Sequence, residues 1–146
     1  LSDAVIKTKT MKKLLRVDSA SNAIHIALLI ARVGTAVLML THGLPKLGML
    51  LSGEPVQFAD PFGLGPTVSL ALTTFAEVIC SLFILVGLAT RLAVIPLIIN
   101  MLTALIHVHA ADPFSKMELP LFFLIIFIAL LFAGSGKYSV DYLLQR

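Results

Sequence analysis

Apolar residues along this chain gather into four runs long enough to cross a bilayer, separated by short stretches rich in Pro, Gly, Asp and charge. The first runs from about Ala23 to Leu44. Asp18, Ser19, Ser21 and Asn22 precede it, any of which suits a helix cap, and Gly43 and Pro45 predict its end. The second runs from about Val68 to Leu88, behind Pro61, Gly63, Gly65 and Pro66, and Gly87 with Thr90 and Arg91 marks its stop. The third, about Leu92 to Ala110, comes next with almost no loop, so the two are antiparallel neighbours. Pro96 falls in its first turns, where a missing N–H matters least. The fourth, Leu119 to Ala133, would rise only about 22 Å at ~1.5 Å per residue, too short to span. A capping box from Ser115 to Glu118 would start it three residues earlier, and Gly134 and Gly136 stop it. The prediction is an all-α polytopic membrane protein, an antiparallel bundle of four transmembrane helices. Residues 1–22 form a basic leading segment, 23–134 the membrane domain and 135–146 a tail.

Composition agrees with this pattern. Of 146 residues, 58% are hydrophobic and 13% charged, too few charges to cover a soluble domain of this size. The net charge of +3 comes from 11 basic and 8 acidic residues. Lys7, Lys9, Lys12, Lys13 and Arg16 all precede the first run, so the excess makes no nucleic-acid footprint. With the N-terminus in the cytoplasm, that side also carries Arg91, Lys137 and Arg146, against Lys46 and Lys116 outside, which predicts both termini inside. The first run is too long for a cleaved leader and lacks a small-residue cleavage pattern, so it is expected to stay as a span. Met11 followed by Lys12 and Lys13 looks like a natural start, so residues 1–10 are expected to be an upstream extension or a cloning remnant. A single cysteine, Cys80, excludes an internal disulfide or dithiol relay. Ala-Asp-Pro-Phe occurs twice between spans, at Ala59–Phe62 and Ala111–Phe114, a match that chance readily produces.

Ionisable residues inside spans are costly and each needs a partner. Arg32 and Glu77 lie at matched depth by counting from the helix ends, so an intramembrane Arg32–Glu77 ion pair is expected, either as a clamp between helices or as part of a site. Arg32, Thr35, Met39, His42 and Lys46 share a face of the first helix, and Asn100, Thr103 and His107 a face of the third. With Thr73, Thr74, Glu77 and Ser81 of the second they predict a polar interior seam. Its outer mouth would gather His42, Lys46, His107 and Glu118 as candidate ligand-binding residues. His42 and His107 at similar depth would also suit two axial haem ligands, but nothing else marks a haem pocket and none is expected. His107 and His109, two apart on a helix, face different ways, so no metal site is expected. No nucleophile elbow, zinc spacing or phosphate loop occurs, and no catalytic residue is assigned.

With these residues placed, the chain resembles the DoxX family of small bacterial four-helix membrane proteins. The resemblance rests on Arg32, then Thr41-His42-Gly43-Leu44-Pro45-Lys46, Glu77, Gly87-Leu88-Ala89-Thr90-Arg91 and Gly134-Ser135-Gly136-Lys137-Tyr138-Ser139-Val140-Asp141. It implies a multi-pass protein of the bacterial inner membrane. The family takes its name from a subunit of a thiosulfate- and quinone-linked oxidoreductase. The resemblance gives two functional expectations. In one, the chain is a membrane subunit of a redox assembly whose seam holds a quinone headgroup, with no intrinsic cofactor and electrons supplied by a partner protein. In the other it is a non-enzymatic accessory subunit that helps a larger membrane complex assemble. A solute carrier fits less well, since four short helices leave little room for alternating access.

Overall fold

A computed structural model describes residues 21–146. Among the described residues four helices are long and apolar enough to cross a membrane: α1 (Asn22–Leu51), α2 (Pro66–Val86), α3 (Thr90–Val108) and α4 (Phe114–Ala133). A short α5 (Val140–Leu144) closes the chain, and there are no strands among these residues. The basic segment ahead of residue 21 lies outside the described residues. The helices close into a ring in chain order, α1 against α2, α2 against α3, α3 against α4 and α4 back against α1. Their shared interior is Ala36 and Met39 of α1, Ala76, Cys80 and Ile84 of α2, Ala93, Val94, Leu97 and Met101 of α3, and Phe123, Leu124, Phe127 and Leu130 of α4. Large apolar side chains such as Ile30, Leu92, Ile125 and Phe132 point outward, as hydrocarbon requires of a bundle too small to bury them.

Several boundaries differ from expectation. The first helix does not stop at Gly43 and Pro45 but continues through Pro45 to Leu51. A proline in a membrane helix removes one N–H without ending the helix, because neighbouring helices hold the axis. Gly43 is a contact, not a stop. A Cβ there would lie 2.8 Å from Val78 Cγ2 and 2.9 Å from Glu77 Cβ, so only a hydrogen lets α1 and α2 approach this closely. Gly43→Ala is therefore expected to cost about 1–3 kcal/mol by overpacking. A thermal unfolding midpoint in detergent unchanged from wild type would show this contact to be looser than its geometry.

Pro96 stands inside α3, and Pro120 inside α4. Helix α4 begins at Phe114 behind an extended Pro113, with no side-chain cap, so the Ser115–Glu118 box does not form. Its early start supplies the length that Leu119–Ala133 lacked. The end of α2 matches expectation: Gly87 takes a left-handed φ of 74°, and the N–H of Leu88 donates back to Phe83 O at 2.9 Å. The stretch after Gly134 is no loose tail. It turns at Gly134 and Gly136, both with positive φ, and α5 is capped by Ser139, whose side chain accepts from Tyr142 N.

Two turns are π-helical, Phe75–Cys80 within α2 and Ala104–Val108 at the end of α3. Each wide turn rotates the residues after it relative to an α-helical count.

Candidate functional site

The two buried charged residues among those described, Glu77 and Arg32, centre two clusters at different depths. The first centres on Glu77, which lies in the π-turn of α2 and is 3% exposed. Lys46 Nζ donates to both of its oxygens, at 2.7 and 2.5 Å, and Asn100 Nδ2 donates to Oε1 at 3.0 Å. Lys46 reaches this carboxylate because α1 runs on past Pro45. A lysine that would otherwise sit in the headgroups stands one turn inside the helix end and turns inward.

The Lys46–Glu77–Asn100 cluster forms one wall of a cavity of about 520 Å³ between α2, α3 and the loop 52–65. Phe58, Pro61, Phe62, Leu72, Phe75 and Ile99 make most of the remaining surface, with Ser69, Thr73, Thr103 and His109 as scattered polar points. The loop is pinned over it by Asp60, whose carboxylate accepts from Leu64 N and Ser69 Oγ with one oxygen and Gly65 N with the other, at 2.8–2.9 Å. Those bonds, from the Ser69 hydroxyl first and then the Gly65 amide, hold the Asp60 carboxyl below the usual carboxylate range. In the second Ala-Asp-Pro-Phe the acid acts differently: Asp112 takes the His109 ring at 2.8 Å and Lys116 at 3.7 Å. The two tetrapeptides share a sequence but not a geometry.

Chemically the cluster is a neutral ion pair with unused hydrogen-bonding capacity. Two of the three Lys46 protons go to Glu77, and among the described residues the Asn100 carbonyl and one of its N–H groups have no partner. Beside a large apolar wall, such a cluster suits a ligand with one polar end and an apolar body.

The second cluster surrounds Arg32, 2% exposed. Its guanidinium donates to the carbonyls of Ser135 and Tyr138, each at 2.7 Å, and the Asp141 carboxylate supplies the counter-charge. Asp141 also accepts from Ala89 N at 2.7 Å and Thr90 N at 3.2 Å, capping the first turn of α3 where Ala89 adopts a positive φ of 48°. Arg32 thus binds the C-terminal segment to the bundle.

The expected Arg32–Glu77 pair is therefore not formed. Glu77 is paired by Lys46, and Arg32 by the chain after Gly134. Counting from assumed helix ends misjudged the register. Gly43, not Arg32, lies against Glu77, and Arg32 stands eleven residues earlier, about 16 Å along the axis at ~1.5 Å per residue.

Of the seam and mouth residues expected to bind a ligand, Lys46, Asn100 and Thr103 line the cavity. His42 does not; it is exposed beside the stripe, its ring edge-on to Phe123 of α4 at 6.0 Å. The buried stripe runs Arg32, Thr35, Met39, Gly43, one position off His42. His107 is exposed too, against Phe62 at 5.4 Å. The π-turn at Ala104–Val108 adds a residue to the helical count, so Val108 continues the line from Asn100 and His109 enters the wall. Glu118 is exposed in the first turns of α4 and lines neither cavity wall nor cluster. Sequence reasoning missed Asp60, His109 and Asp141. An acid shortly ahead of Gly65-Pro66, a helix-starting pair, was a readable signal for Asp60.

A family model described as DoxX matches residues 27–110, more than half of the chain. The chain belongs to the DoxX family. No curated protein and no solved structure matches it. The stretch matched to DoxX carries Arg32, Lys46, Glu77 and Asn100, while Ser135, Tyr138 and Asp141 lie beyond it.

Asp141 gives a pH prediction. Burial works to raise its pKa, but the Ala89 and Thr90 amides, with Ser135 and Thr90 side chains, outweigh this and leave the pKa lowered. A carboxylate with a lowered folded-state pKa contributes stability above its unfolded value of about 3.9, lost as pH falls through the folded value. Wild-type unfolding in detergent should therefore steepen below about pH 4, and Asp141→Asn should be less stable at neutral pH but flatter across that range. Parallel profiles for the two proteins would show that Asp141 is not the titrating anchor.

Proposed function

We propose that this DoxX-family chain is a membrane subunit that holds the headgroup of a neutral, carbonyl-bearing amphipathic molecule, of which a quinone is the best chemical fit. The observation that carries the reading is the neutral Lys46–Glu77–Asn100 cluster set in the wall of an otherwise apolar cavity of about 520 Å³. Binding sites for small amphipathic molecules fall at about 300–1,000 Å³, with few polar groups in an apolar lining. Because Glu77 neutralises Lys46, the site favours a carbonyl over an anion, a narrower preference than a free lysine would give. Lys46 and Asn100 would donate to one ring carbonyl, while Phe58, Phe62, Phe75 and Ile99 pack against the ring and the first units of its tail. A quinone supplies a two-electron, two-proton couple. Its electrons would come from the redox centre of a partner protein, and the Lys46–Glu77 pair stands where a proton could be held beside the ring oxygen.

We place the chain in a bacterial cytoplasmic membrane with both ends inside, on the distribution of Lys and Arg. The cavity and loop 52–65 then face outward, and the partner would dock on that side. The test is titration of the purified chain with a short-tailed benzoquinone. Saturable binding is expected, weakened at least tenfold by Asn100→Leu. An affinity unchanged by that substitution contradicts the site. A chain that binds no quinone yet retains a stoichiometric membrane partner would instead be a non-enzymatic assembly subunit.

A further inference from the structure

A second cavity, of about 510 Å³, opens at the other end of the bundle, between the start of α1, the start of α3, the end of α4 and the C-terminal segment. Its wall holds Arg91, Lys137 and His25. Arg91, in the first turn of α3, gives one N–H to Phe132 O at 3.1 Å, and its other donors have no partner among the described residues. Gly134 brings the backbone against that guanidinium: a Cβ there would meet Arg91 Nε at 3.2 Å. His25 Nδ1 accepts the backbone N–H of Lys137 at 3.3 Å, which places the proton of a neutral ring on Nε2 as a donor. The Lys137 side chain is exposed. One carboxylate, Asp141, shares the wall, but its oxygens accept from Ala89 and Thr90 and its charge faces Arg32. Among the described residues, the groups of this wall left without an ionic partner are therefore two cations and a histidine.

Depth and surroundings narrow the ligand. His25 is in the first turn of α1, Arg91 in the first turn of α3 and Ala133 at the last position of α4, so the cavity lies level with the span ends, where phospholipid headgroups sit. Leu92 in its wall and Phe132, whose carbonyl takes the Arg91 N–H, are 70% and 77% exposed and offer surface for acyl chains. We infer that this cavity binds the phosphate of an anionic phospholipid headgroup, with Arg91 and Lys137 as its charges and His25 Nε2 as a hydrogen-bond donor. A zwitterionic lipid carries the same phosphate beside a cation, which these two side chains repel. The expected preference is for phosphatidylglycerol over phosphatidylcholine.

The full chain in detergent, offered either lipid, should retain phosphatidylglycerol preferentially when bound lipid is counted by native mass spectrometry. Each cation removed should weaken retention about fivefold, so Arg91→Gln with Lys137→Gln should lose about 25-fold. Lys116→Gln, at the opposite end, should change nothing. If the double variant does not fold, Lys137→Gln alone should still show its fivefold loss. Inorganic phosphate in the millimolar range should not displace the lipid; displacement would make soluble phosphate the occupant and overturn the lipid assignment. A folded double variant that retains phosphatidylglycerol like wild type would overturn the site itself.

Discussion

Arg32→Met is expected to destabilise the bundle by about 3–5 kcal/mol, the cost of breaking a buried charge cluster from one side. The guanidinium bridges the Ser135 and Tyr138 carbonyls at 2.7 Å each, and Asp141 depends on it for a counter-charge. Methionine fills similar volume but leaves two carbonyls without donors and one carboxylate partly buried and unbalanced. Arg32→Lys should recover little, since a single ammonium cannot span two carbonyls held apart by the fork of a guanidinium. The damage should be local first. The segment after Gly134 should become accessible to protease while the spans remain intact, because it is attached chiefly through Arg32 and Asp141. An Arg32→Met protein with wild-type melting and a protected C-terminal end would contradict the anchor.

Lys46→Met should be of similar size, about 3–5 kcal/mol, because it strands Glu77 with only Asn100 as a donor. Glu77→Gln is expected to cost less, about 1–2 kcal/mol. Lys46 is 26% exposed on its side chain and can lift its ammonium toward the cavity mouth, whereas Glu77 at 4% cannot move. The double replacement Lys46→Met with Glu77→Gln should be more stable than Lys46→Met alone, a coupling that a double-mutant cycle measures. Stability would then return without the cavity's ionic chemistry, so the double variant also separates structure from binding. Additive costs would mean that the pair does not act as a unit.

The four spans, their antiparallel order and the stop at Gly87 were legible because apolar run length and glycine chemistry are local properties. Pairing of buried charges was not, since it depends on how helices slide past one another. That Arg32 and Glu77 each need a partner is plain from their place in apolar runs. Their actual partners came from a lysine beyond a proline and from backbone carbonyls after the fourth span, neither of which announces itself in a hydropathy pattern. The cavity was half legible. Lys46, Asn100 and Thr103 keep to helical spacing up to the π-turn, and His107 fails just where that turn begins to alter the count. His42 failed for a smaller reason, a single position's rotation that gave its place on the buried stripe to Gly43.

On the proposed function, an amphipathic carbonyl ligand lies between α2, α3 and the loop 52–65, with its head at Lys46, Glu77 and Asn100. Photo-crosslinking of the purified chain with a diazirine-bearing short-tailed benzoquinone, mapped by peptide mass spectrometry, tests it most directly. The expected labels fall on Phe58–Leu72 and Pro96–His109, compete with unlabelled quinone, and fade in Asn100→Leu. Labels spread along the lipid-facing side of α4, at Phe122, Ile125 and Phe132, and indifferent to Asn100→Leu, would contradict the claim.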